Sequence, residues 1–164
     1  MEIVMNENSK KRLAAVHPEL AKRIVQLEEV LAGQDPPIQF EVVQGMRTFA
    51  EQDALFAKGR TKPGPKVTNA KGGQSNHNFG LAVDIAPLKN GKIDWNVKNP
   101  AWKIMGEEGQ KIGLEWGGGW ATFVDLPHFQ LPIGMSVKQC LECHQGGGLD
   151  AVWVEANRRL GLTG

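Results

Sequence analysis

Apolar residues at Leu20, Ile24, Leu27 and Leu31 carry the three-to-four spacing that lines one face of an α-helix. Pro18 fits the first turn, where its missing N–H costs nothing, and Gly33 supplies the stop. Upstream, Leu13 and Val16 predict a shorter helix that Ser9 caps and that breaks at His17. Its opening Lys10-Lys11-Arg12 runs against the helix dipole. After the turn Asp35-Pro36-Pro37 the period changes to two: Ile38, Phe40 and Val42 alternate with polar positions, which predicts a strand from Ile38 to Gln44. Thr48-Phe49-Ala50-Glu51 is a capping box opening a short helix to Lys58.

Residues 57 to 74 lack either period and read as a long loop, with two Pro, four Gly and the cations Lys58, Arg60, Lys62, Lys66 and Lys71 unopposed by any acidic residue. Leu81 to Ala86 reads as a strand, and Asn90-Gly91 as a tight hairpin turn before Lys92-Ile93. Asn99-Pro100 caps a helix running to about Ile112, with Gly113 as its stop. Leu114-Glu115-Trp116 predicts a short strand, Gly117-Gly118-Gly119 a sharp turn, and Pro127 to Leu131 a last strand. Ser136 caps a short helix carrying Cys140, Cys143 and His144. Gly146-Gly147-Gly148 then separates it from a final amphipathic helix beginning at Asp150, with Val152, Val154 and Leu160 as core positions.

Composition narrows this picture only a little. A chain of 164 residues fits one domain with a real core, and 41% hydrophobic with 23% charged residues is ordinary for a globular protein. A formal net charge of +1 gives no bias toward nucleic acid, and no apolar run reaches a bilayer span, so neither nucleic acid nor stable membrane association is expected. The stretch from Met1 to Glu7 lacks the basic start and apolar run of a signal peptide, so synthesis in the bacterial cytoplasm is the expectation.

Candidate chemistry is concentrated in two segments. Ser75-Asn-His77-Asn-Phe-Gly80-Leu-Ala82-Val-Asp84 is followed about forty residues later by Asp125-Leu-Pro-His128. Imidazole and carboxylate suit zinc, and three protein ligands (His77, Asp84 and His128) leave a fourth position open, as in catalytic sites. Asp125 stands beside the last imidazole as a candidate general base. In a regular strand an offset of three would put Asp125 and His128 on opposite faces, but Pro127 argues for a bend. Ser75 is a candidate to bind substrate or to orient a ligand.

These segments resemble the zinc peptidases of the D-alanyl-D-alanine carboxypeptidase and dipeptidase superfamily, and most closely the phage and bacterial L-alanyl-D-glutamate endopeptidases. The resemblance extends over about residues 38 to 132, including Gln44-Gly45-Met46-Arg47-Thr48 and Trp116-Gly117-Gly118. It implies an α+β fold, a small central antiparallel sheet flanked by helices with a single zinc site in a cleft. Residues 1–135 would form the catalytic domain and 136–164 a helical extension packed on it. It also implies zinc held by His77, Asp84 and His128, base action by Asp125, and a catalytic or substrate-binding role for Arg47. The D-alanyl-D-alanine branch usually carries Glu where Asp125 stands, so Asp favours the endolysin-like branch.

The implied activity is zinc-dependent hydrolysis of the L-alanyl-D-glutamate bond in a peptidoglycan stem peptide, by a monomer released to the cell wall through a membrane lesion. A D-alanyl-D-alanine carboxypeptidase or dipeptidase and a zinc-containing wall-binding module are the alternatives. The all-cationic loop suits a stem peptide rich in carboxylates. Cys140-Leu-Glu-Cys143-His144 matches the attachment motif of a c-type haem, but that would ordinarily require export. Two reduced thiols on a packing helix is the default expectation.

Overall fold

A computed structural model describes residues 5–162; residues 1–4, the start of the stretch read above for a signal peptide, lie outside the described residues. In chain order the elements are α1 (Glu7–Ala14), α2 (Pro18–Ala32), β1 (Phe40–Gln44), α3 (Phe49–Ala57), β2 (Ala82–Lys89), β3 (Lys92–Ile93), α4 (Ala101–Lys111), β4 (Glu115–Trp116), β5 (His128–Gln130) and α5 (Val137–Leu160). A 3-10 turn, Asn76–Phe79, precedes β2 and another, Gly117–Gly119, follows β4. The architecture is α+β. Two compact units are formed, one by residues 5–45 with 82–132, the other by residues 46–81 with 133–162.

The first unit holds the whole sheet, in the order β1-β2-β5-β4, with β3 paired to β2 and every pairing antiparallel. Helix α2 forms where its apolar stripe predicts, and Leu20, Ile24, Leu27 and Leu31 are wholly buried. Each such side chain contributes about 1.5–3 kcal/mol of burial. The cap of α1 departs from expectation. Asn6, not Ser9, is the N-cap, its side chain accepting from Ser9 N at 2.8 Å. Ser9 is buried instead, and its hydroxyl accepts from Val42 N at 2.9 Å, satisfying a β1 donor. Strand β1 starts at Phe40, because Ile38 N donates to Leu31 O and finishes α2. Strand β2 continues past Ala86 to Lys89, since Leu88 and Lys89 pair with Ile93 and Lys92 in the hairpin.

The second unit is built on α3, the 3-10 turn and α5. The Thr48–Glu51 capping box is present in both directions, at 3.0 and 3.1 Å. Phe49, Phe79 and His144 form an aromatic cluster with centroids 5.0–5.9 Å apart. Helix α5 is interrupted at Gly147 and Gly148, whose backbone is non-helical, which is the break the glycine run predicts. Val152 is buried as expected, together with Ala156 one turn on, whereas Val154 is 61% exposed because two residues along a helix turns it to another face. Leu160 is half-buried. Trp153 Nε1 donates to Phe79 O at 2.7 Å and ties α5 to the 3-10 turn.

Candidate metal centre

Strands β2 and β5 place Asp84 directly opposite His128 in the antiparallel register. His128 Nδ1 stands 3.6 Å from Asp84 Oδ1 and 3.9 Å from Asp125 Oδ2. The objection that an offset of three separates Asp125 from His128 falls away, since β5 begins only at His128. Asp125 lies in the preceding turn, where its N–H donates to Gly117 O at 3.0 Å and its carbonyl accepts from His128 N at 3.2 Å. The Asp125 side chain is 48% exposed, that of His128 only 9%. Burial works against a charged His128, but the hydrogen bond and charge of Asp84, with Gln130 and Asp125, outweigh it and raise its pKa above the ordinary value.

His77 comes from the 3-10 turn Asn76–Phe79 and is buried. Ser75 caps that turn, its hydroxyl accepting from His77 N at 3.3 Å. Asn78, one residue beyond the ligand candidate, accepts from Gly73 N and Ser75 N, and donates to the carbonyls of Arg47 and Thr48. Gly80 ends the turn at φ 65°, a conformation that glycine adopts without strain, and so lets the chain enter β2 at once. Arg47 N donates to His77 O at 2.9 Å, and Arg47 Nη1 donates to Gln52 Oε1 at 2.7 Å. Gln52 is itself buried and donates to Ala70 O at 2.8 Å.

His77, Asp84 and His128 each offer a ligand atom, and these atoms all lie within 4.8 Å of one another. Neighbouring ligands of a tetrahedral zinc stand about 3.4 Å apart, given bonds near 2.1 Å, so the 3.6 Å between His128 and Asp84 already suits the ion. The donor set fits zinc. Asp125 stands beside it with access to solvent.

Four polar residues around these side chains carry no motif of their own: Asn78, Gln52, Gln130 and Glu115. Gln130 Oε1 lies 2.8 Å from His128 Nε2. Its position two residues after His128, hence on the same strand face, is the one hint the sequence holds, and it assigns no role. Farther off, Arg60 of the cationic loop is engaged locally, its guanidinium 3.8 Å over the Phe56 ring and bonded to the carbonyls of Phe56 and Thr68. Cys140 and Cys143 are free thiols, and burial pushes Cys140 up to about 11.

A family model described as D-alanyl-D-alanine carboxypeptidase matches residues 68–131, which contain all three ligand candidates and Asp125. The L-alanyl-D-glutamate peptidase of Escherichia phage T5 is 35% identical over 130 residues, covering 73% of this chain and 83% of the phage protein. The chain belongs to this peptidase family. The family member CwlK of Bacillus subtilis, a peptidoglycan L-alanyl-D-glutamate endopeptidase, is 41% identical over 102 residues. That match takes in 57% of the chain and 61% of CwlK, so the chain spans about three fifths of that relative's length. Among solved structures, the L-Ala D-Glu endopeptidase ChiX of Serratia marcescens superposes with a TM-score of 0.60 at 25% identity, covering 80% of the chain and 92% of ChiX. The family fold is thus the fold found here.

Proposed function

We propose that this chain is a zinc metallopeptidase that hydrolyses the L-alanyl-D-glutamate bond of peptidoglycan stem peptides, in lysis of the phage type. The observation that carries the reading is the placement of His128 Nδ1 between two carboxylates, Asp84 at 3.6 Å and Asp125 at 3.9 Å, one buried enough to ligate and one open to water. The relatives named for the same bond support it. They do not favour the D-alanyl-D-alanine carboxypeptidase alternative.

In this reading His77, Asp84 and His128 hold the ion. Zinc, when bound, supplies Lewis acidity that acidifies water and polarises a carbonyl. Asp125 takes the proton of the attacking water and delivers it to the amine nitrogen as the C–N bond breaks. Arg47, its guanidinium anchored on Gln52, offers charge-assisted donors to an oxyanion or a substrate carboxylate. Ser75 orients His77 through the backbone bond at the head of the turn, leaving its hydroxyl positioned for substrate as well. Among the described residues no helix is long and apolar enough to cross a membrane. In this reading the enzyme acts as a monomer on the wall, after release through a membrane lesion.

Digestion of purified muropeptides by the zinc-loaded protein, read by mass and N-terminal analysis, tests this. New N-terminal D-glutamate is expected. Free D-alanine without new N-terminal D-glutamate would reassign the enzyme as a carboxypeptidase, and binding to wall without any cleavage would make it a binding module.

A further inference from the structure

Glu115 on β4 and Gln130 on β5 are direct partners in the antiparallel register. Gln130 Nε2 donates to Glu115 Oε2 at 2.7 Å, while its Oε1 stands 2.8 Å from His128 Nε2. Chemistry orders this chain of contacts from the outside inward. A carboxylate only accepts hydrogen bonds, so the NH2 of Gln130 must face Glu115. The amide oxygen is thereby turned toward His128, and it too only accepts. Neutral His128 must then carry its proton on Nε2 and its lone pair on Nδ1. Nδ1 is the nitrogen 3.6 Å from Asp84 Oδ1, on the side of the metal-ligand cluster.

We propose that Glu115 and Gln130 are positioning residues that select the tautomer and ring orientation His128 needs to ligate the ion. The proposal rests on the reading of His128 as a zinc ligand. With the opposite tautomer, the Nδ1 proton would point at the ion, and the Nε2 lone pair would face the Gln130 oxygen. Glu115 touches neither metal nor substrate; it acts through Gln130 by denying its amide the flipped orientation. This is why an exposed residue on a two-residue strand bears on the metal site.

Two measurements on the full chain test it: zinc affinity by competition with a chromophoric chelator, and the ring-nitrogen NMR spectrum of His128 in the metal-free protein, assigned against His128→Ala. Wild type should show the Nε2–H form. Glu115→Gln, which can present either a donor or an acceptor, and Gln130→Leu should each weaken zinc affinity about tenfold and mix the tautomers. The double variant should bind no more weakly than Gln130→Leu alone, because Glu115 has no other route to the ion. A general Coulomb attraction from Glu115 would instead add its loss on top, and that result would overturn the relay. So would an Nδ1–H signal in wild type, or wild-type zinc affinity in Glu115→Gln. Loss of zinc in His128→Ala with none in Glu115→Gln leaves the ligand standing and removes the relay. Wild-type affinity in His128→Ala removes both.

Discussion

A proton acceptor in hydrolysis must meet water, and a metal ligand is better held away from it. Asp125 and His128, three residues apart, divide along that line, with side chains 48% and 9% exposed. Asp125→Ala should therefore lower kcat by about 10²–10⁴-fold while the protein keeps one equivalent of zinc, measured by turnover of muropeptide and by metal analysis. Undiminished turnover would strip Asp125 of the base role. A second residue-level expectation concerns the thiols. Cys140 is wholly buried and pushed up to about 11, so at pH 8 iodoacetamide should modify Cys143 alone, with Cys140 reacting only in denaturant. Because the folded-state value lies above the unfolded one, the stability linked to the protonated Cys140 is complete below about pH 9 and is lost as pH rises toward 11. Modification of both thiols in native protein would show that Cys140 is accessible. That His77, Asp84, Asp125 and His128 belong together could be read from the sequence, because His and Asp at fixed intervals are chemically unusual. Gln130, Gln52 and Asn78 could not, since an amide acquires a role only from what folding sets around it. Ser9 misled for a related reason: a serine near a helix start serves equally as a cap or as a buried partner for a strand.

Helix α4 shows what an element can hide from a sequence pattern. Its Gly106 looks like a weakness in a helix, about 1 kcal/mol worse than alanine. A Cβ there would lie 2.2 Å from Cδ2 of Trp116, the ring that stacks on Phe129 with centroids 6.4 Å apart. Gly106→Ala should thus destabilise the protein by about 1–3 kcal/mol despite its better helix propensity, as overpacking does in a close-packed core. Urea unfolding measures this directly; a stabilised variant would mean the Trp116 ring yields easily. Thr48→Ala, which removes one half of a complete capping box, should cost about 1 kcal/mol by the same measurement. Elements governed by local signals were legible: the stripe of α2, the capping box of α3 and the Asn90-Gly91 hairpin all form where their residues predict. Boundaries set by pairing were not. Strand β2 gains Pro87 to Lys89 from its partners, and β5 keeps only three of the residues its apolar pattern offered. Val154 was misplaced because the stripe of the last helix runs through Val152 and Ala156.

For the molecule as a whole, the proposed ligand set would make stability a function of zinc. His77 and Asp84 are seven positions apart, but His128 follows about forty residues later, and only the folded chain holds the three ligand atoms within 4.8 Å. An ion that binds the folded state and ignores the unfolded one stabilises by RT ln(1 + [Zn]/Kd), about 2.7 kcal/mol at a hundredfold excess over Kd. For a domain of 150–250 residues each kcal/mol moves Tm by about 2–4 °C, so chelation should lower the midpoint by about 5–11 °C, and restored zinc should return it. The size of this increment, rather than the midpoint itself, is the informative quantity. Replacing a buried ligand such as His77 or His128 also disturbs packing, which lowers the metal-free midpoint whether or not the residue ligates. In His77→Ala the zinc-dependent increment itself should vanish, because two remaining ligands bind the ion too weakly to couple it to folding. In Asp125→Ala it should persist in full, since the base lies outside the ligand set. Calorimetric scans with and without zinc separate the two cases: an intact increment in His77→Ala would remove His77 from the site, and a lost increment in Asp125→Ala would make Asp125 a ligand rather than the base.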